Sequence, residues 1–316
     1  MTYAIGQPVA AADFMTFRGA TAPNVAYPSA IAATNAIAAL IGVGYGSRGY
    51  GQTYVTLAAV TSGSVITAAQ WNSLYSAMST IDVQTGSGLT IPASVTTSSV
   101  IQADTGTLSR PNLPGLITTL DTNRLLYSIS QMALASKLTS VLTTPWTGTV
   151  LHQWTLTFAS ENAARYFFNT GGQVYASGSR TGGTGSHLDF TFTDLLNQMG
   201  TIKMGAVTTT YTGTGGTAQS IGYYGLTETF QTIFTHLGSA YGYTSASYSL
   251  QARVENVAGL NGANGTVVRM QAVFATGLSG YSYYYSVDGT LTSTVQQLAA
   301  DVLVITAPIY ATTTPL

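Results

Sequence analysis

The chain has 316 residues, of which only 7% are Asp, Glu, Lys or Arg, against about 25% in an ordinary soluble domain. Ten basic and eleven acidic residues leave a net charge of −1 with no run of either sign, which excludes the clustered Lys and Arg that nucleic-acid binding requires. With no cysteine there are no disulfides or thiolate metal sites, and 45% hydrophobic residues argue against disorder.

In chain order, Met1 to Pro8 shows neither a basic start nor an apolar run, so no secretory signal is expected. The most apolar stretch, Ala30 to Val43, is too short to span a bilayer and carries Thr34 and Asn35. Residues 9–20 align without gaps to residues 66–77. Phe14 falls opposite Trp71, and Phe17 opposite Leu74. The pattern predicts two short helices, the second N-capped by Thr67. Two related small modules follow, 1–57 and 58–110, although chance similarity in an Ala-rich chain gives the same pattern. Phe14, Phe17, Trp71 and Leu74 are the candidate anchoring residues.

Residues 111–145 read as a helical connector, with one longer helix over Pro114 to Leu138 that places Leu116, Leu120, Tyr127 and Leu134 near one face. It is either an ordinary packing helix or a self-associating stem. The heptad is too broken for a coiled coil.

From about residue 146 to 316 alternation dominates and predicts an antiparallel β-sandwich, making the chain mainly β with a smaller helical or mixed N-terminal part. Val150, His152, Trp154, Leu156 and Phe158 share one strand face. Tyr248, Leu250, Ala252 and Val254 share another, and a return strand runs from Thr266 to Ala275 after the turn pairs Asn261-Gly262 and Asn264-Gly265. Asp288-Gly289 marks a turn between a Tyr-rich and a Thr-rich strand. Tyr166 to Phe168 and Gln173 to Ala176 are expected to pair as a hairpin across Asn169-Thr170-Gly171-Gly172.

Chemistry-bearing residues are sparse. His187-Leu188-Asp189 is the one close His–carboxylate spacing, and on a strand both side chains would share a face, yet two ligands do not make a metal site. His152 reads as a packed histidine. Thr193-Asp194-Leu195-Leu196 looks like a helix start, which leaves Asp189 and Asp194 as cap and turn residues rather than a catalytic pair. The glycine tracts lack the lysine of a phosphate loop. No catalysis, cofactor or metal is expected. Tyr223, Tyr224, Tyr241, Tyr243, Tyr281, Tyr283, Tyr284 and Tyr285 stand beside Gly and Ser. They are candidates for an oligomer interface, the preferred reading, or for stacking on sugar rings.

Ala164-Arg165-Tyr166-Phe167-Phe168-Asn169 and Gly171-Gly172 lie in a stretch that resembles the "ARYFFN-x-GG" segment of tailed-bacteriophage virion structural proteins, often labelled tail or neck fibre. Gly49-Tyr50-Gly51-Gln52 followed by Ile66-Thr67-Ala68-Ala69-Gln70-Trp71-Asn72-Ser73-Leu74 is similar to a second arrangement in that family. Ser177 to Gly183, Leu195 to Ile202, and Gln231 to Thr235 also match, in order, so the likeness runs from about residue 49 to 255. The chain departs from it near Val83-Gln84, where the family usually has a His-Gln pair. The resemblance implies a virion component without catalysis but does not place it in the particle; the preferred expectation is a fibre, whisker or collar element anchored through its N-terminal half. Its partners would be other virion proteins and further copies of itself, a trimer being one compatible form. Neither nucleic acid nor membrane insertion is expected. The competing expectations are a host adhesin binding cell-surface glycans, and a capsid-decoration or tail-associated protein. The chain would be made in the host cytoplasm and placed in the virion.

Overall fold

The computed structural model describes residues 11–18, 37–42, 44–51, 57–97, 113–278, 286–303 and 305–313. Their architecture is mixed and mainly β: a helical N-terminal unit beside two antiparallel sheets.

The N-terminal unit contains α1 (Ala11–Arg18), α2 (Ile37–Ile41), α3 (Ala68–Thr85) and α4 (Leu113–Thr122). Thr67 caps α3 as expected: its hydroxyl accepts from Gln70 N–H, and the Gln70 side chain returns to the Thr67 backbone. The two related segments form α1 and the start of α3, and share one core instead of each holding its own. Phe14 meets Trp71 edge-on at 5.1 Å, and Leu40, Ile81, Ile117 and Leu120 close around them. Phe14, Phe17, Trp71 and Leu74 are all buried. They hold this unit together, and their side chains offer no surface for an anchor.

The connector is helical only in its first part. α4 stops at Thr122, because Arg124 folds back and its guanidinium donates to the Asp121 carbonyl at 2.8 Å while the backbone turns over Asn123. Beyond it, β1 (Met132–Leu134) and β2 (Leu138–Leu142) both pair with one edge of β11 (Thr290–Ala300). The single helix expected over Pro114 to Leu138 is therefore not formed: its second half gives way to sheet edge at 132–134 and 138–142.

The first six-stranded sheet continues from β11 through β4 (Gln173–Thr181) and β5 (Ile202–Met204) to β6 (Thr209–Tyr211). The second runs β12 (Ile309–Thr313), β3 (Thr149–Thr157), β10 (Val267–Ala275), β9 (Ser247–Glu255), β8 (Gln231–Leu237), β7 (Thr217–Ala218). β3, β9 and β10 follow the predicted alternation: Val150, Trp154, Leu156, Tyr248, Leu250, Met270 and Phe274 point into a core that also takes Val174, Ala176, Leu291 and Val295 from the first sheet. Across it, His152 Nδ1 and Ser293 Oγ stand 2.8 Å apart. The outward face of the second sheet carries an amide row. Gln153 donates to Gln271 at 2.9 Å and Gln271 to Gln251 at 2.6 Å, all three in direct cross-strand register.

Two further expectations are corrected. Residues 161–169 form a helix, α5 (Glu161–Asn169), not a hairpin strand: Ser160 accepts from Ala163 N–H and starts it, and Gly171, at φ 91°, turns the chain into β4. His187 and Asp189 lie not on a strand but at the start of α6 (His187–Met199), which begins six residues before Thr193 under a capping box between Ser186 and Asp189. The β9–β10 connection is longer than a tight hairpin, with a 3-10 turn at Leu260–Gly262. Asn261 and Gly262 there have the positive φ expected of them.

Candidate functional site

Two places gather polar and aromatic side chains, and the first is built around α5. Arg165 is fully buried. Its Nε donates to the Gly46 carbonyl at 3.0 Å, one terminal nitrogen to the Arg48 carbonyl at 2.6 Å, and the other to Asn162 Oδ1 at 2.9 Å. Asn169, one helical turn on, donates to the Gly46 and Gly49 carbonyls, each at 3.0 Å. Tyr224 adds its hydroxyl to Gly46 O at 2.6 Å and to Asn169 Oδ1 at 2.7 Å. One loop, residues 44–51, is thus held by donors from two distant parts of the chain.

The N-terminal end of α5 meets the β9–β10 connection. Both Glu161 oxygens accept backbone N–H groups, from Ala258 at 2.9 Å and Leu260 at 2.7 Å, and Gly46 N–H reaches Asn261 O at 2.7 Å. Tyr166 lies over Gly51 so closely that a Cβ there would collide with its ring. Gln84, at the place where the resemblance lapses, is buried and donates to the Thr170 carbonyl at 2.7 Å. α3, α5 and the 44–51 loop therefore meet at one joint between the helical unit and the sandwich. Most of these bonds satisfy backbone carbonyls and N–H groups across the joint, and the Arg165–Asn162 and Tyr224–Asn169 bonds link side chains within it.

The second place is the sandwich end at the start of α6. Asp189 is fully buried and forms an ion pair with Arg180 at 2.7 Å; its carboxylate also takes the N–H groups of Gly185, Ser186 and Asp288. Above this fixed turn, His187 stacks on Tyr241 with centroids 5.0 Å apart, and Phe190 tilts against Tyr241 at 5.7 Å. Thr191 Oγ1 ties the β8–β9 loop to α6 through the Ala240 carbonyl at 3.1 Å.

The tyrosine candidates divide. Tyr223 is fully buried, stacks on Phe168 at 4.5 Å, and donates to Gly265 O at 2.8 Å; burial pushes its hydroxyl up to about 12. Burial also raises Tyr224 far above the ordinary phenol range. Tyr223 is thus an interior residue, while Tyr224 is partly buried with its hydroxyl engaged by Gly46 and Asn169. Tyr243 is half-buried and Tyr241 is exposed. Tyr281, Tyr283, Tyr284 and Tyr285 lie outside the described residues.

Among the described residues, no three His, Asp or Glu side chains stand close enough to hold a metal ion, and no helix is long and apolar enough to cross a membrane. Burial holds His152 down at about 4 and also lowers His236, which Asp194 opposes. The donors of the α5 joint are not legible in the sequence, because the partners of Arg165 and Asn169 are backbone carbonyls more than a hundred residues away. In comparisons with known proteins, no family model, curated protein or solved structure matches the chain.

Proposed function

We propose that this chain is a structural building block of a tailed-phage virion, a fibre, whisker or collar element that assembles with copies of itself and is held through its N-terminal half. One observation carries this reading. The helix bearing the "ARYFFN" residues and the loop bearing Gly49-Tyr50-Gly51, two of the segments that carry the resemblance, are hydrogen-bond partners across the joint. Segments that match a family by chance have no reason to meet in space.

The chemistry supports the same role. Arg48 pairs with Asp121, Arg180 with Asp189, and Glu255 bridges Arg253 and Arg269, so scarce charges brace the fold. The outward face of the second sheet carries the Gln153–Gln271–Gln251 amide row beside the Arg253–Glu255–Arg269 cluster, whose charges are already paired with one another. Ile309, on the end strand β12, is 79% exposed, and an uncharged edge of that kind invites pairing. Labelling this chain in intact particles and imaging them by electron microscopy tests the reading. Signal at the neck, tail or fibres in a fixed copy number supports it, and particles without signal contradict it. A glycan-binding role is favoured by one separate observation, the exposed rings at the α6 end.

A further inference from the structure

Tyr241 and Gly242 are the central residues of a turn closed by Tyr243 N–H on the Ala240 carbonyl at 3.2 Å, with φ of 54° and 80°. Two successive positive φ angles mark a turn that prefers Asn-Gly, because a bulky side chain crowds its own backbone there. Tyrosine at that position is strained, and at 56% exposed it gains little burial in return. What the position does provide is a ring held in place: face to face with His187 at an interplanar angle of 23°, and against Phe190, itself 47% exposed. His187 and Phe190 are one turn apart on α6, whose first turn the Ser186–Asp189 box and the Arg180–Asp189 pair fix.

We propose that Tyr241, His187 and Phe190 form a stacking platform for a neutral pyranose ring, such as a residue of a surface polysaccharide. The proposal does not rest on the virion reading, but it requires the platform to stay open when the chain associates. A neutral sugar is favoured over a charged one: the Arg180 charge is taken by Asp189 and does not serve an acidic sugar, and the Asp288 carboxylate is engaged by Thr184 and Ser286. Ser239 and Thr244, exposed on the same loop, supply hydroxyls for the sugar's own. Size favours a small ligand over a second copy. Three half-exposed rings present on the order of 300 Å², well below the roughly 800 Å² per partner of a stable protein interface. Rigid aromatic side chains with hydroxyl-bearing neighbours suit recognition at low entropic cost.

Saturation-transfer NMR on the full chain, with methyl pyranosides of glucose, galactose, mannose, rhamnose and N-acetylglucosamine at millimolar concentration, tests this. Transfer to the ring protons of at least one glycoside is expected, with affinity falling about tenfold in Tyr241→Gly. Glycine relieves the positive φ, so the unfolding midpoint stays in place and loss of binding is not loss of fold. Phe190→Ala weakens the same glycoside. Transfer from none of the five, equal binding by Tyr241→Gly, or a Tyr241 ring that becomes shielded from an aqueous quencher as the protein associates would each overturn the proposal.

Discussion

The guanidinium of Arg165 donates to the backbone carbonyl of Arg48 at 2.6 Å, joining the sandwich side of the molecule to a loop of the helical unit 117 residues earlier. Because Arg165 is fully buried, each of its donors must find an acceptor within the protein. Replacing it with leucine strands the Arg48 carbonyl and removes charge-assisted bonds, at about 2–4 kcal/mol. Hydrogen exchange reads the consequence: α3 amides lose protection in Arg165→Leu while β10 amides keep most of theirs, as expected if this residue couples the two cores.

Gly51 gives a sharper version of the same test. It sits at φ 71° with the Tyr166 ring where a Cβ would go. Gly51→Ala therefore combines backbone strain with a steric clash and should destabilise by about 3 kcal/mol or more. Gly63 has φ 84°, but a methyl group there would meet nothing within 4 Å, so Gly63→Ala should lose only about 1 kcal/mol. Urea midpoints of the two variants check the difference.

His152 makes stability depend on pH. Its folded value of about 4 lies below the ordinary 6.5 because burial disfavours the imidazolium. Between those values the unfolded chain binds more protons, so stability is complete above about pH 6.5 and falls as pH drops toward 4, by about 3 kcal/mol from this group. His236 is shifted in the same direction and adds to the fall. Urea titrations at pH 7 and pH 4.5 should show a smaller loss in His152→Phe than in the wild type.

In the helical unit, Trp71 touches Phe14, Phe17 and Tyr75. Trp71→Ala opens a cavity between α1 and α3 and should destabilise the unit by about 3–5 kcal/mol. Thermal unfolding followed by far-ultraviolet ellipticity measures this.

The strands β3, β9 and β10 are legible in the sequence because each lies between a core and an outward face, so burial alternates with a period of two. Thr67 and Gln70 are legible because a capping box is local. α5 is not. Its polar residues Glu161, Arg165 and Asn169 do recur every four residues, but that stripe is buried against other parts of the chain, and Asn169 to Gly172 imitate a hairpin turn. The start of α6 is hidden because Asp189, not Glu or Gln, completes its box. Tyr223 and Tyr224 have the sequence surroundings of surface residues beside glycine, and only the tertiary contacts to Phe168, Gly46 and Asn169 bury the first and tie down the hydroxyl of the second. Tyr241 stands out as a candidate from its neighbours in the chain, but its strained turn and its partners His187 and Phe190 depend on the β8–β9 loop meeting α6.

Sedimentation velocity of the purified full chain, from nanomolar to tens of micromolar, tests the building-block claim most directly. Growth with concentration into one closed oligomer of fixed stoichiometry is the predicted result. A single species of monomer mass throughout that range would contradict it.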